Sequence, residues 1–258
     1  MQNYLFFILA IIFSIPLGSF YNVLIYRLPD HKNIIVPPSA CPYCKAFIKW
    51  YDNIPIVSFI FLRGKCRKCH QPISIRYLIV ELLSPILMVS IFVTSTLLGE
   101  IIIYYLFFSA LMVIFFIDLK HKIIPNVITY SLMVIGIGLN FLYMNFQSAL
   151  IFNVLGLGIG AGIILFIMYV YKKIRGIDGM GFGDVKLFAV LGIWFGWQGC
   201  LIILFLSSFL GSVFGMMGIL NNKFSMQKQL PFAPFIVVAS AIYYFNKQLI
   251  FNLLLMYF

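Results

Sequence analysis

The chain has 258 residues, of which 63% are hydrophobic and only 10% charged, with a mean hydropathy of +1.05. An ordinary soluble domain is about 45–50% apolar and about 25% charged, and a single water-soluble core of this size cannot hide the excess. A soluble enzyme, a disordered chain and a disulfide scaffold are excluded, and an all-α polytopic integral membrane protein remains. The 18 Lys and Arg against 7 Asp and Glu give a net charge of +11. In a membrane protein that excess reads first as topology rather than as nucleic-acid binding, because basic residues stay on the cytoplasmic side.

The first apolar run, within residues 1–26, has no Lys or Arg before it and ends at Arg27. A secretory signal carries its charge ahead of the apolar run, so this is read as a retained helix with its N-terminus outside. Residues 27–76 form the one polar stretch long enough to be a domain outside the bilayer, and they hold nine of the 18 basic residues.

The remainder, 77–258, reads as a membrane core. Apolar runs near 77–98, 101–117, 127–144 and 149–171 are joined alternately by turns without basic residues and by basic loops. Basic loops at 27–76, 118–125, 172–186 and 221–230 put 17 of the 18 Lys and Arg on one face, leaving only Lys247. For that parity to hold, 187–220 must cross twice. Gly196 and Gly199 are the expected turn, with Trp194, Trp197 and Gln198 as interface residues. The expectation is about eight transmembrane helices with both termini outside. Four-residue spacing of Gly156 and Gly160, Gly158 and Gly162, and Gly211 and Gly215 is read as helix packing.

Four of the five cysteines lie in the polar segment, as CPYC (Cys41, Cys44) and CRKC (Cys66, Cys69). C-x2-C sets two thiolates on one tight turn, and two such turns can close a tetrahedron around a structural Zn²⁺. The rival reading is two disulfides, which rarely persist in the cytosol. His70 adjoins Cys69 as a spare ligand. Cys200 lies in an apolar stretch and is read as packing.

Seven acidic residues leave room to weigh each. Asp30 and Asp52 are expected to pair with Lys and Arg of the basic loop, Glu100 and Asp178 to lie in turns, and Glu81 to pair with Arg76. Asp118 ends an apolar run at the cytoplasmic edge, and Asp184 opens a later helix at the same edge. Two crossings separate them, so both carboxylates return to one face. Two carboxylates held together cannot both ionise readily. The charged one can activate water while the neutral one protonates a leaving amine, which is aspartic-protease chemistry. A proton relay in a transporter and a non-catalytic scaffold are rival uses of the same acids.

Together these segments resemble the bacterial type IV prepilin peptidases, intramembrane GxGD-type aspartic peptidases. GSFYNVLIYRLP (18–29) is similar to the family's opening motif, and the CPYC and CRKC pairs to its cytoplasmic tetrad. WYDNIPIVSFIFLRGKCRKCHQPISIRYLIVELL (50–83) resembles the block leading into the second helix. DLKHKIIPN (118–126) and GMGFGDVKL (179–187) resemble the two aspartate motifs. The resemblance implies cleavage of type IV prepilins and pseudopilins at the cytoplasmic face of the inner membrane, with Asp118 and Asp184 as the catalytic pair. It also implies methylation of the exposed N-terminal amine by S-adenosyl-L-methionine. A peptidase-only relative is the alternative, and no G-x-G-x-x-G fingerprint marks a cofactor site. The basic loop cannot attract a basic leader peptide, so its lysines are expected to meet anionic lipid headgroups.

Overall fold

The computed structural model describes residues 2–95, 97–176, 181–221 and 230–250. Asp178, Lys223 and Lys228, and Gly179 and Met180 of the second aspartate motif, lie outside these. The described chain is all-helical apart from two isolated β-bridges. It divides into two compact units, residues 1–113 and 114–258.

The first unit contains α1 (Gln2–Arg27), the short α2 (Val57–Phe61), α3 (Ile75–Thr94) and most of α4 (Leu98–His121). Lipid-facing helices gain little by burying apolar surface against one another, so buried polar contacts matter in register. Here α1 packs along α3. Ser84 Oγ lies 2.6 Å from the Ser14 carbonyl, to which it donates, and 2.7 Å from the Tyr105 hydroxyl. Arg27 closes α1 by donating to the carbonyls of Asn33, Ile34 and Pro37, which folds the chain back on the helix end. Glu100 falls in the first turn of α4 rather than in a loop.

The second unit contains the end of α4, α5 (Asn126–Tyr143), α6 (Phe146–Arg175), α7 (Phe182–Leu220) and α8 (Ala233–Phe245). Continuous α7 is too long for one crossing, and it breaks at Gly196, where φ is 72° and ψ 173°. That conformation is open to glycine and hostile to a side chain. The break reverses the chain: Cys200 Sγ comes within 3.7 Å of the Phe188 carbonyl, twelve residues earlier. A straight helix would put those residues about 18 Å apart. The expected double crossing of 187–220 is thus a helical hairpin with Gly196 at its tip, and Cys200 is packing, as expected.

Six described helices are long and apolar enough to cross a membrane. Counting the two arms of α7 and adding the shorter α8 brings the number to eight. Trp194 is half-buried against α5. It turns inward, and its Nε1–H donates to the Leu132 carbonyl at 2.9 Å.

The glycine spacings divide sharply. A Cβ on Gly156 would lie 2.1 Å from the Gly192 carbonyl oxygen, and one on Gly160 would lie 2.4 Å from that of Phe188. Gly158 and Gly162 have open space beside them. Gly211 and Gly215 meet only side chains, at 3.5 Å and beyond. Only the first pair brings two helix backbones together; Gly211 meets Phe235 of α8 by ordinary side-chain contact. Gly156→Ala is expected to lower stability by about 1–3 kcal/mol, as overpacking does, while Gly158→Ala leaves it unchanged. Thermal unfolding of the two variants in detergent checks this.

Candidate active site and metal centre

Asp118 lies in the last turn of α4 and Asp184 in the first turn of α7. Both belong to the second unit, and they are only 6% and 8% exposed. Buried carboxylates are rare enough to demand a reason. The chain after Asp118 supplies the surface on which α7 begins. Gly183 carries no Cβ, and one there would lie 3.1 Å from Ile124 Cβ. Lys186 Nζ donates to Asn126 Oδ1 and sits over the Tyr130 ring at 5.8 Å. These contacts bracket Asp184 on both sides and set it against the segment that follows Asp118. Asp118 lies near enough to Asp184 for its charge to bear on it. The absence of a side chain at Gly183 thus lets α7 begin against that segment.

One partner was not legible in advance. The backbone N–H of Ala233, the first residue of α8, donates to Asp118 Oδ2 at 3.2 Å. A backbone amide has no side-chain signature. The only sequence signal was the stiff string Pro231-Phe232-Ala233-Pro234, which fixes where α8 opens.

Glu81 is a correction. It does not pair with Arg76; its Oε2 accepts the N–H of Ile56 at 2.7 Å. Five residues along a helix do not face one another, whereas three or four do. Asp30 and Asp52 behave as expected, pairing with Lys32 and Arg67. The Arg67 side chain makes three contacts to Asp52 of 2.6–3.1 Å. These hydrogen bonds hold the Asp52 carboxyl below the usual carboxylate range.

The four cysteines of the first unit converge, with all four sulfurs within 4.8 Å of one another. Two equivalent turns bring them together. In one, the Lys45 N–H donates to the Cys41 carbonyl and the Cys41 N–H to that of Ala46. In the other, His70 donates to Cys66 and Cys66 to Gln71. Lys45 and His70 hold matching left-handed positions, with φ of 58° and 56°. His70 thus fills a turn position and is not part of the sulfur cluster.

Zn–S bonds of about 2.3 Å in a tetrahedron set sulfurs about 3.8 Å apart. Cys41 Sγ and Cys69 Sγ are 3.8 Å apart. Backbone hydrogen bonds from Cys69 and Lys68 bring the Cys66 thiol down to about 6, while burial and the neighbouring sulfurs push that of Cys69 up to about 11. Cys66 is therefore the thiolate most readily offered to a metal. The residues present fit a Zn²⁺ ion.

Comparison with known sequences decides the family. The description "Bacterial Peptidase A24 N-terminal domain" matches residues 12–95, and "Type IV leader peptidase family" matches residues 105–216. This chain belongs to the type IV leader peptidase family. It is 35% identical to a prepilin leader peptidase/N-methyltransferase of Aeromonas salmonicida (strain A449), over 92% of this chain and 89% of that protein. A relative of the same name from Legionella pneumophila is 34% identical over 97% of this chain and 95% of its own length. One from Burkholderia pseudomallei (strain 1026b) is 30% identical over 90% and 82%. No solved structure matches. The peptidase is a multi-pass membrane protein, and both aspartates fall within the stretch matched to the leader peptidase family.

Proposed function

We propose that this peptidase cuts the basic leader from type IV prepilins and pseudopilins by a two-aspartate mechanism and then N-methylates the new N-terminus. The observation that carries the first half is the bracketing of Asp184 against the chain that follows Asp118, with both carboxylates buried. The two share one proton between them. The ionised member takes a proton from a water molecule, whose oxygen attacks the scissile carbonyl carbon. The neutral member gives its proton to the departing amine as the C–N bond breaks. The proton count is the same before and after, so the pair is ready for another turnover.

The basic-loop parity supports a cytoplasmic-facing site in the bacterial inner membrane, with both termini outside. A prepilin keeps its basic leader in the cytosol and its apolar helix in the bilayer, so its scissile bond reaches the same edge. In this reading 1–26 is the first transmembrane helix, 27–76 the zinc-binding segment and 77–258 the peptidase core. Cys41, Cys44, Cys66 and Cys69 would hold a structural Zn²⁺. Four protein ligands leave no open position for substrate, so the metal's role is to fold the segment.

Methylation rests on the relatives' names. Methyl transfer from S-adenosyl-L-methionine would need the new amine unprotonated. The N–C bond would form as the donor's S–C bond breaks, with S-adenosylhomocysteine leaving and the amine releasing one proton, so that the product carries one methyl on nitrogen. No residue of this chain is assigned to the methyl donor. The test is mass spectrometry of a prepilin incubated with purified enzyme and isotopically labelled donor. Cleaved, singly labelled product is expected. Cleaved but unlabelled product would identify a peptidase-only relative.

A further inference from the structure

Helix α2 is only five residues long and packs on the 50–53 turn of the polar segment, yet the residue before it is tied to the membrane spans. Ile56, the residue before it, donates its N–H to Glu81 Oε2 at 2.7 Å. Glu81 is the seventh residue of α3, which places it about 9 Å along the axis from the helix start. Ser19 of α1 stands beside its carboxylate. At that level α1 and α3 are in close contact, since a Cβ on Gly18 would lie 2.9 Å from Glu81 Cα. The acceptor that holds Ile56 is therefore fixed between two spans, below their ends.

Reaching it costs backbone strain. Ile56 has φ of 64° and ψ of −54°, and the Val57 N–H donates back to the Pro55 carbonyl at 2.6 Å. That is a tight three-residue turn with a β-branched residue at positive φ, which is sterically unfavourable. Such a turn persists only where its surroundings impose it.

The helix that this turn launches shows two faces. Phe59 points back into the fold, where its ring would lie 3.2 Å from a Cβ on Gly64. Val57, Ile60 and Phe61 share the other face by their three- and four-residue spacing, and they are 45%, 64% and 82% exposed. Arg63 and Lys65 follow directly. Residues 27–76 carry nine basic residues against Asp30 and Asp52, a net of +7.

We propose that α2 is an interfacial helix whose Val57, Ile60 and Phe61 insert among the acyl chains of the leaflet where α3 begins. Arg63 and Lys65 then meet the anionic headgroups above. Depth, apolarity and charge agree on that occupant. The Glu81 tether draws the helix to the level of the headgroup–acyl boundary, where amphipathic surface segments lie. The surrounding positive charge complements an anionic leaflet. The consequence is that the cysteine segment is held down on the membrane rather than free in the cytosol. This inference does not depend on the peptidase reading.

The experiment uses the full-length protein in nanodiscs containing phosphatidylglycerol with a photoactivatable diazirine in its acyl chain. After illumination, peptide mapping locates the adducts. Adducts on residues 57–61 as well as on α3 are expected. Adducts on α3 with none on 57–61 overturn the proposal, whether water or protein covers that face. Phe61→Asp is expected to lose the α2 adducts while α3 keeps its own, and α2 adducts undiminished by that change also overturn it. If Phe61→Asp fails to insert, the wild-type map alone decides.

Discussion

Replacing Asp118 or Asp184 with asparagine is expected to abolish prepilin cleavage, lowering kcat/KM by about 10³-fold or more. The exchange keeps size and hydrogen-bonding oxygen and removes only the ability to carry a proton or a full charge. At Asp118 that distinction is testable against folding. An asparagine Oδ1 still accepts the Ala233 N–H, so the opening of α8 is retained. At Asp184 the backbone N–H donates to the Gly181 carbonyl, a bond that no side-chain change removes. Both variants should therefore insert and unfold near the wild-type temperature while cutting nothing. The check is mass spectrometry of a prepilin incubated with each purified variant, beside its melting curve. Cleavage within tenfold of wild type by either variant would end the two-aspartate mechanism. So would loss of activity that tracks loss of folded protein in both.

The two acids were legible in the sequence because a carboxylate near lipid is costly and the chain has few to consider. Crossing parity then returned both to one face without any side-chain geometry. What surrounds them was less legible, for physical reasons. The Ala233 amide that holds Asp118 is backbone, and its identity depends on where a distant helix opens. Glu81 invited pairing with Arg76 by proximity along the chain. Its partner is an amide 25 residues upstream, delivered by a strained loop whose path no periodicity records. Spacing also treated six glycines alike. Residues two apart on a helix point about 200° from each other, so Gly156 and Gly158 could not both line one seam, and only contact with α7 tells which does. The reversal in α7 was deducible from charge parity, because a single crossing there would place basic loops on both faces. Its tip fell on Gly196, one of two candidate glycines, because only that one needs positive φ.

Changing Cys41 to serine is expected to strip the protein of zinc, from about one ion per chain to almost none, and to leave residues 27–76 open to proteolysis. Structural zinc supplies about 10–16 kcal/mol in small peptides at neutral pH, more than a segment with so little apolar core can replace. The spans should stay inserted, since their packing uses none of the four sulfurs. Cys200→Ser is the matched control: that sulfur is buried in the second unit against the Phe188 carbonyl and should leave zinc content unchanged. Metal analysis and limited proteolysis read both variants. The same measurements separate metal from disulfide. A disulfide needs sulfurs about 2.05 Å apart, and Cys41 and Cys69 stand at 3.8 Å, a tetrahedral edge. A strong chelator should therefore expose the segment to protease while a reductant does not. Acid should act like the chelator, because protons compete for the thiolates that hold the ion. A segment that resists chelation and opens on reduction would transfer the tetrad from metal to disulfide chemistry.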